Sequence, residues 1–242
     1  MQLSDLTIIA PTRNETANLP ALLASLPAEA ALIIVDASAD GTADLARHLR
    51  PRHTTVIRSL FGVTAARQAG ADAARTPWLL FTDADVVFAS DYFERLAQRP
   101  LADVLYGPKL SADGAFPGYY RWFERGQRWA AALGVPAATG SNLLVNPTVF
   151  RLAHGFDLDL FVNEDSELAW RIARLGYRVQ YAPDLKVYAR DHRRLRRGVA
   201  AKWAHSLSRC ALLYFDLLPR SLRRRDWGYW PQERADDFDP DC

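Results

Sequence analysis

The sequence predicts an α/β protein: a mainly parallel sheet with helices on both faces, followed by a C-terminal helical extension. Three observations lead there. Short apolar runs rich in β-branched residues alternate with segments of helical apolar spacing through the first half of the chain. The strand candidates are apolar along their whole length, the pattern of strands covered on both sides. Acidic residues recur where those runs end.

The elements follow in order. LTIIAP from Leu6 reads as a first strand, and NLPALLASLP places Leu19, Leu22, Leu23 and Leu26 on one helical face. ALIIVDAS is a second strand, and DGTADLARHL a helix entered through Asp40 or Thr42. HTTVIRS is a third strand, and GVTAARQAGADAAR an Ala-rich helix ending before Pro77. WLLFTDAD is a fourth strand. Beyond Val87, SDYFERLAQ reads as a capped helix, ADVLYGPKL as one strand and YYRWFERGQRWAAALG as an aromatic, basic helix. TGSNLLVNPTVFRLAHGF gives strand, turn and short helix. NEDSELAWRIARLG gives a helix with acids in its first turn and Gly176 past its end. YRVQYAP and LKVYAR are short strands. One long helix is expected from Arg193 to about Leu218, then an irregular tail. Residues 1–198 form the expected main domain, with a nucleotide-binding half at 1–110 and an acceptor-binding half at 111–198; residues 199–242 are the extension.

Bulk properties narrow the function classes. The 242 residues suffice for a substantial core, and 49% hydrophobic with 24% charged residues is ordinary for a globular protein. A net charge of +2 argues for no polyanionic partner, and nucleic-acid binding is not expected. Basic residues gather between Arg190 and Arg225, and the last ten residues are acidic. Cys210 and Cys242 lie far apart, so neither a disulfide nor a cysteine metal site is expected. The N-terminus lacks a secretory pattern, and no apolar stretch approaches the roughly 20 residues of a membrane span. A cytoplasmic setting is the expectation, with peripheral contact at the inner face of the membrane as a further option.

The acids carry the chemical expectation. Side chains two apart in an extended strand share a face, so Asp83 and Asp85 aim into one pocket. Open parallel sheets bind ligands beyond the carboxyl ends of their strands. Asp36 ends the second strand and Glu15 follows the first, which puts acids on one sheet edge. Clustered carboxylates call for a cation, and oxygen ligands suit Mg²⁺ or Mn²⁺ shared with phosphate oxygens. Asp40, in DGT, is turn and cap chemistry. Asp36 alone fits either use. For Asp83 with Asp85 a cap is insufficient explanation, since one aspartate would serve.

These segments together resemble family-two glycosyltransferases of the GT-A fold, from Leu6 to about Gly198. LTIIAPTRNE is similar to the family's opening strand, and IIVDASADGT to its second block, one residue shorter than the commoner form. VTAARQAGADAARTPWLLFTDADV resembles the third block, with Gln68 where Asn is usual. TGSNLLVNPTVFRLAHGFD and NEDSELAWRIARLGYRV match the acceptor-side blocks. The resemblance implies a non-processive, inverting, metal-assisted transfer from a nucleotide-diphosphate sugar, UDP- or GDP-linked, to an acceptor hydroxyl. It implies that Pro11, Glu15 and Asp36 line the nucleotide pocket, with Asp36 facing the base, and that Arg67 reaches the nucleotide. It puts Asp83 near the ribose and Asp85 on the metal. Asp165 would be the general base and Glu164 would help orient the acceptor, although a helix dipole alone favours acids in a first turn. Gly140 and Ser141 either let the backbone approach the donor sugar or form an ordinary turn.

In RDHRRLRRG the resemblance implies Arg193 or Arg194 on the diphosphate and His192 as a further metal ligand, against a plain solvated basic loop. Trp203, Leu207, Tyr214 and Leu218 recur at rough helical spacing. That stretch, 199–230, suits either contact with an anionic membrane surface, as a lipid-linked acceptor would require, or packing on the domain. Tyr119, Tyr120, Trp122, Phe123 and Trp129 serve either stacking on sugar or lipid, or core packing.

Competing readings are a haloacid-dehalogenase-like phosphatase with Asp83 as nucleophile, a sugar-nucleotide pyrophosphorylase, and a binding module that has lost catalysis. The phosphatase pattern belongs on a first strand, whereas three strand–helix units precede DADVV. A pyrophosphorylase needs a Gly-rich basic loop where this chain has APTRNE. Processive synthesis is disfavoured because the Gln-x-x-Arg-Trp motif and membrane helices are missing.

Overall fold

The alternation seen along the chain becomes a layered sheet. The structure, a computed structural model, describes residues 1–59, 62–196 and 198–224, apart from the side chains at 194, 200–203 and 220. The expectations for Arg194 on diphosphate, for Trp203 and for the tail therefore lie outside the described residues. The first half runs β1 (Leu6–Thr12), α1 (Leu19–Ala24), β2 (Ala31–Asp36), α2 (Thr42–Leu49), β3 (Thr54–Arg58), α3 (Val63–Ala73) and β4 (Trp78–Thr82). There follow β5 (Val86–Phe88), α4 (Tyr92–Gln98), β6 (Val104–Tyr106), β7 (Lys109–Ser111), α5 (Pro117–Ala132), β8 (Asn142–Val145) and α6 (Pro147–Leu152). The chain continues through α7 (Glu164–Arg174), β9 (Val179–Tyr181), β10 (Val187–Ala189), α8 (Arg193–Arg196), α9 (Val199–Tyr214) and α10 (Arg220–Arg223).

The main sheet has the order β3-β2-β1-β4-β8-β6-β9. The first four strands are mutually parallel, β8 runs antiparallel between β4 and β6, and β9 is parallel to β6. Segments of the expected acceptor half are thus built into the sheet of the nucleotide half. A second sheet, β5-β10-β7, stands beyond it.

Continuous apolar strands arise because both faces are covered. Ile8, Leu32, Ile34, Leu80, Leu105 and Leu144 face α1, α2 and α4 in one core. Ile9, Ile33, Val35, Leu79, Phe81 and Leu143 face α3, α6 and α7 in the other. The period-two alternation of a pleated strand divides neighbours between these cores. No helix among the described residues is long and apolar enough to cross a membrane.

Three expectations change. ADVLYGPKL is two strands, not one: β6 lies in the main sheet and β7 in the small one, with Gly107-Pro108 between them. The expected helix from Arg193 to Leu218 is broken, because Gly198 at φ +131° leaves the helical region; α9 then stops at Tyr214. The fourth strand ends at Thr82, so Asp83 and Asp85 stand on the turn into β5, not on an extended strand.

Gly107 makes the switch between sheets possible. A Cβ there would collide with the carbonyl oxygen of Leu185 and with the Asn142 amide. A backbone carbonyl cannot yield as a flexible side chain can. Gly107→Ala should therefore cost about 3 kcal/mol, the upper end of ordinary overpacking. Urea unfolding measures it, and a loss below about 1 kcal/mol would show that the junction relaxes.

Candidate active site

Parallel pairing of β2, β1 and β4 brings their carboxyl ends to one edge. Asp36 is fully buried at the end of β2, Glu15 follows β1, and Asp83 follows β4. α7 enters the same region with Glu164 and Asp165 in its first turn.

Two cations tie the acids together. Arg67, on α3, is buried and donates from Nη2 to Asp83 Oδ1 at 2.7 Å. Its Nη1 pairs with Glu164. Lys109, at the start of β7, lies 3.3 Å from Asp83 Oδ2 and 3.5 Å from Asp85 Oδ1. Its Nζ also donates to Ser141 Oγ at 3.1 Å, and Ser141 donates in turn to Asp83. The two aspartates of the DAD turn thus converge on the Lys109 ammonium, brought together by a turn rather than by strand alternation. Asp165 accepts the Gly140 and Ser166 backbone N–H groups, each at 2.6 Å, one on each carboxylate oxygen.

Burial pushes the Asp165 carboxyl above the usual range, with Arg67 and the two backbone donors pulling it back. Burial likewise pushes Glu164 up to about 7, against the pull of Arg67. Glu164 therefore holds its proton more tightly folded than unfolded, where the carboxyl has its ordinary value of 4.5. Its stabilising contribution is fully present below the unfolded value and is lost as pH rises through the folded one. Stability of the wild type relative to Glu164→Gln should fall between about pH 5 and pH 8, on the order of 3 kcal/mol at most. Paired thermal melts across that range test this; a difference independent of pH refutes it.

The remaining expected residues have defined surroundings. Pro11 is buried in β1, paired with Val35 of β2. Asp36 accepts from Thr12 at 2.7 Å, from Ser38 at 2.5 Å and from Arg58 at 2.8 Å. An open depression of about 360 Å³ is lined by Asp36, Ser38, Gly41, Thr42 and Arg58; Asp83, Asp85 and Asp165 are not in its wall. Glu15 accepts from Arg193 Nη2 at 2.7 Å, and burial raises its carboxyl. Arg193, expected on the diphosphate, also pairs with Asp191 and is largely exposed. Arg67, expected to reach the nucleotide, instead gives both terminal nitrogens to carboxylates of the protein. Gly140 accommodates that arginine: a Cβ at 140 would strike the guanidinium carbon. Its smallness serves Arg67, whether or not a sugar also approaches.

His192 is buried with both ring nitrogens engaged, unlike an expected metal ligand. Nε2 lies 2.9 Å from Asp113 Oδ1, and Nδ1 lies 2.9 Å from the Tyr120 hydroxyl. Nε2 donating to the carboxylate and Tyr120 donating to Nδ1 satisfies all three groups. Among the described residues no group of three His, Cys, Asp or Glu side chains is arranged to hold a metal. Asp83 and Asp85 do converge on a cationic nitrogen, and two carboxylates completed by phosphate oxygens are a usual set for Mg²⁺ or Mn²⁺. Asp83 already has both oxygens engaged by Arg67, Ser141 and Lys109, so Asp85 is the carboxylate of the pair that fits a divalent ion brought with a phosphorylated ligand.

Lys109 and Arg58 were not anticipated. Each is a single cation at the edge of an apolar run, and nothing local marks it as a partner of a distant acid.

Comparison with known proteins is consistent across methods of matching. The family model described as Glycosyl transferase family 2 matches residues 7–141. Succinoglycan biosynthesis protein ExoA of Rhizobium meliloti (strain 1021) is 26% identical over 194 residues, 71% of this chain and 59% of its own. The pre-mycofactocin glycosyltransferase of Mycobacterium tuberculosis (strain ATCC 25618 / H37Rv) is 28% identical over 220 residues, 82% of this chain and 45% of its own. The chain thus spans 59% and 45% of the length of these curated relatives. Among solved structures, mannosyltransferase PcManGT from Pyrobaculum calidifontis, in complex with GDP-Man and Mn2+, aligns with a TM-score of 0.69 at 22% identity, covering 90% of this chain and 67% of that one. S. aureus TarS 1-349 in complex with UDP-GlcNAc aligns at 0.62 with 17% identity, covering 90% and 72%. At such identities the structural likeness establishes the fold.

Proposed function

The chain belongs to glycosyl transferase family 2, and from that premise we propose that it moves a sugar from a nucleotide-diphosphate sugar to an acceptor hydroxyl with inversion. One observation carries the reading. Asp83, Asp85, Glu164 and Asp165, from separate segments, are gathered around Arg67 and Lys109 at the carboxyl edge of the parallel strands. Such an edge is where open α/β sheets hold nucleotides.

In this mechanism Pro11, Glu15 and Asp36 line the nucleotide, with Asp36 toward the base and Asp83 toward the ribose. Asp85 would hold Mn²⁺ or Mg²⁺, and the ion would supply positive charge against the diphosphate leaving group. Arg193 would add positive charge there. Asp165 takes the proton of the acceptor hydroxyl as that oxygen bonds to the anomeric carbon and the carbon–phosphate oxygen bond breaks. Its raised affinity for a proton suits it to that task. Arg67 fixes Glu164 and Asp83 on either side, and Glu164 orients the acceptor beside Ser141 and Gly140. The relatives' bound ligands, GDP-Man with Mn2+ in PcManGT and UDP-GlcNAc in TarS, support a GDP- or UDP-sugar here. The acceptor includes lipid-linked sugars as candidates.

Family membership and geometry both oppose the phosphatase reading. Asp83, its required nucleophile, has one oxygen on Arg67 and the other on Ser141 and Lys109. The test is thermal stabilisation by UDP, GDP and their sugars, with and without Mn²⁺. One nucleotide sugar should raise Tm only with metal, and Asp85→Ala should abolish the effect. No metal-dependent shift from any donor overturns the proposal; binding without transfer or donor hydrolysis would identify a catalytically inactive binding protein.

A further inference from the structure

One helix carries an exposed apolar stripe that the site does not use. On α5, Trp122, Trp129 and Leu133 just past its end are 53%, 62% and 81% exposed. Their spacing of seven and four residues keeps them on one face. The two indoles meet edge to face, with ring centroids 6.4 Å apart, and the Arg125 guanidinium lies 5.6 Å from the Trp122 ring. Arg121, Arg125 and Arg128 are also exposed, while the helix's single acid, Glu124, is only partly so and pairs with Arg128. The opposite face is anchored by buried Tyr120 and Gln127, so the tryptophan stripe is held outward. Core packing, one of the two uses expected for these aromatics, applies to Tyr120 and not to Trp122 or Trp129.

α9 approaches α5 from its buried side and at its end. Tyr119 and Tyr120 at the start of α5 share a cluster with Val199 at the start of α9. Val135, beyond the end of α5, packs in a cluster with Cys210, Leu213 and Tyr214 of α9. The expected stripe on α9 is only partly the exposed one. Leu218 is buried and Tyr214 stacks edge-on against Trp170, while Leu207, Leu212, Phe215 and Leu217 face solvent.

We propose that the outward face of α5 forms a docking surface for an anionic lipid bilayer. Tryptophan prefers the boundary between headgroups and acyl chains, where its ring is apolar and its N–H stays wet. Exposed arginines beside it complement acidic headgroups. A helix with Trp and Leu on one face and arginines flanking them is the pattern of an interfacial helix. α5 packs against β7, whose Lys109 contacts Asp83 and Asp85. Lipid binding itself is independent of the glycosyl-transfer reading; presentation of an amphiphilic acceptor to Asp165 rests on it.

Co-sedimentation of the full chain with vesicles tests the proposal. The protein should pellet with phosphatidylcholine vesicles rich in phosphatidylglycerol, and less with phosphatidylcholine alone, the difference shrinking in high salt. Trp122→Ser with Trp129→Ser should weaken partitioning roughly tenfold without changing metal-dependent donor stabilisation. Arg121→Ser with Arg125→Ser, which keeps the indoles, should remove the preference for anionic lipid. Failure of the wild type to bind either vesicle, or unchanged binding by both variants, overturns the proposal. So does a dimer in sedimentation that the same substitutions dissociate while vesicles are ignored, since the face would then be an interface between copies. Lipid binding without any donor shift would leave this proposal standing and remove the glycosyl-transfer reading.

Discussion

Asp165→Asn should slow sugar transfer by roughly 10²–10⁴-fold, the usual contribution of a positioned general base. Donor affinity should change little, because Asp165 touches neither Asp83 nor Asp85 among its hydrogen-bond partners. The loss should therefore appear in kcat at saturating donor. The amide also turns one acceptor oxygen into a donor facing a backbone N–H, so a stability loss of about 1–2 kcal/mol should accompany it. Unfolding measurements separate the two effects. In the wild type the base must be ionised to act. Activity should then fall on acidification through an apparent pKa above the usual aspartate range, the direction in which burial moves this carboxyl. A variant retaining more than about a tenth of wild-type kcat would remove Asp165 from the role of base.

Arg67→Met should be the most damaging single change to stability, about 3–5 kcal/mol by denaturant unfolding. Its guanidinium is buried between Asp83 and Glu164, with Gly140 against its face. Methionine fills part of the volume but leaves Glu164 without its cation and Asp83 with Lys109 alone. The cost is thus an unpaired-charge cost, and a double-mutant cycle exposes it. Arg67→Met combined with Glu164→Gln should be less destabilised than the sum of the single changes, by about 1–3 kcal/mol. Strict additivity, or a single-variant loss under about 1 kcal/mol, would mean that Arg67 does not hold the site together.

Much of the architecture is readable from local pattern. The apolar runs of β1, β2 and β4 and the leucine spacing of α1 obey periods of two and 3.6, which depend on neighbours in sequence alone. Turn chemistry is equally local: Asp40 accepts the Thr42 N–H at 3.1 Å in the turn that leads into α2, although Gly41, not Asp40, is the cap residue. Short elements were less legible. β6 and β7 look like one strand because nothing in three residues announces a change of sheet. The break before α9 hangs on one glycine at positive φ. At the DAD turn the carboxylates converge although the strand has already ended, so strand alternation is not what brings them together.

By itself the sequence determined the α/β class, the family and the acids at strand ends, because each is written in short-range periodicity or in motifs of contiguous residues. Tertiary structure alone decided what those acids face. Arg67 meets Asp83 across 16 positions and Glu164 across 97, and Lys109 meets Asp83 across 26. It also decided that His192 is held by Tyr120 and Asp113, and that Trp122 and Trp129 look outward while Tyr120 looks in. The physical reason is the same in each case. A side chain's charge partner or burial depends on which strands become neighbours, and the order β4-β8-β6 is settled by packing on two cores rather than by any one segment's composition.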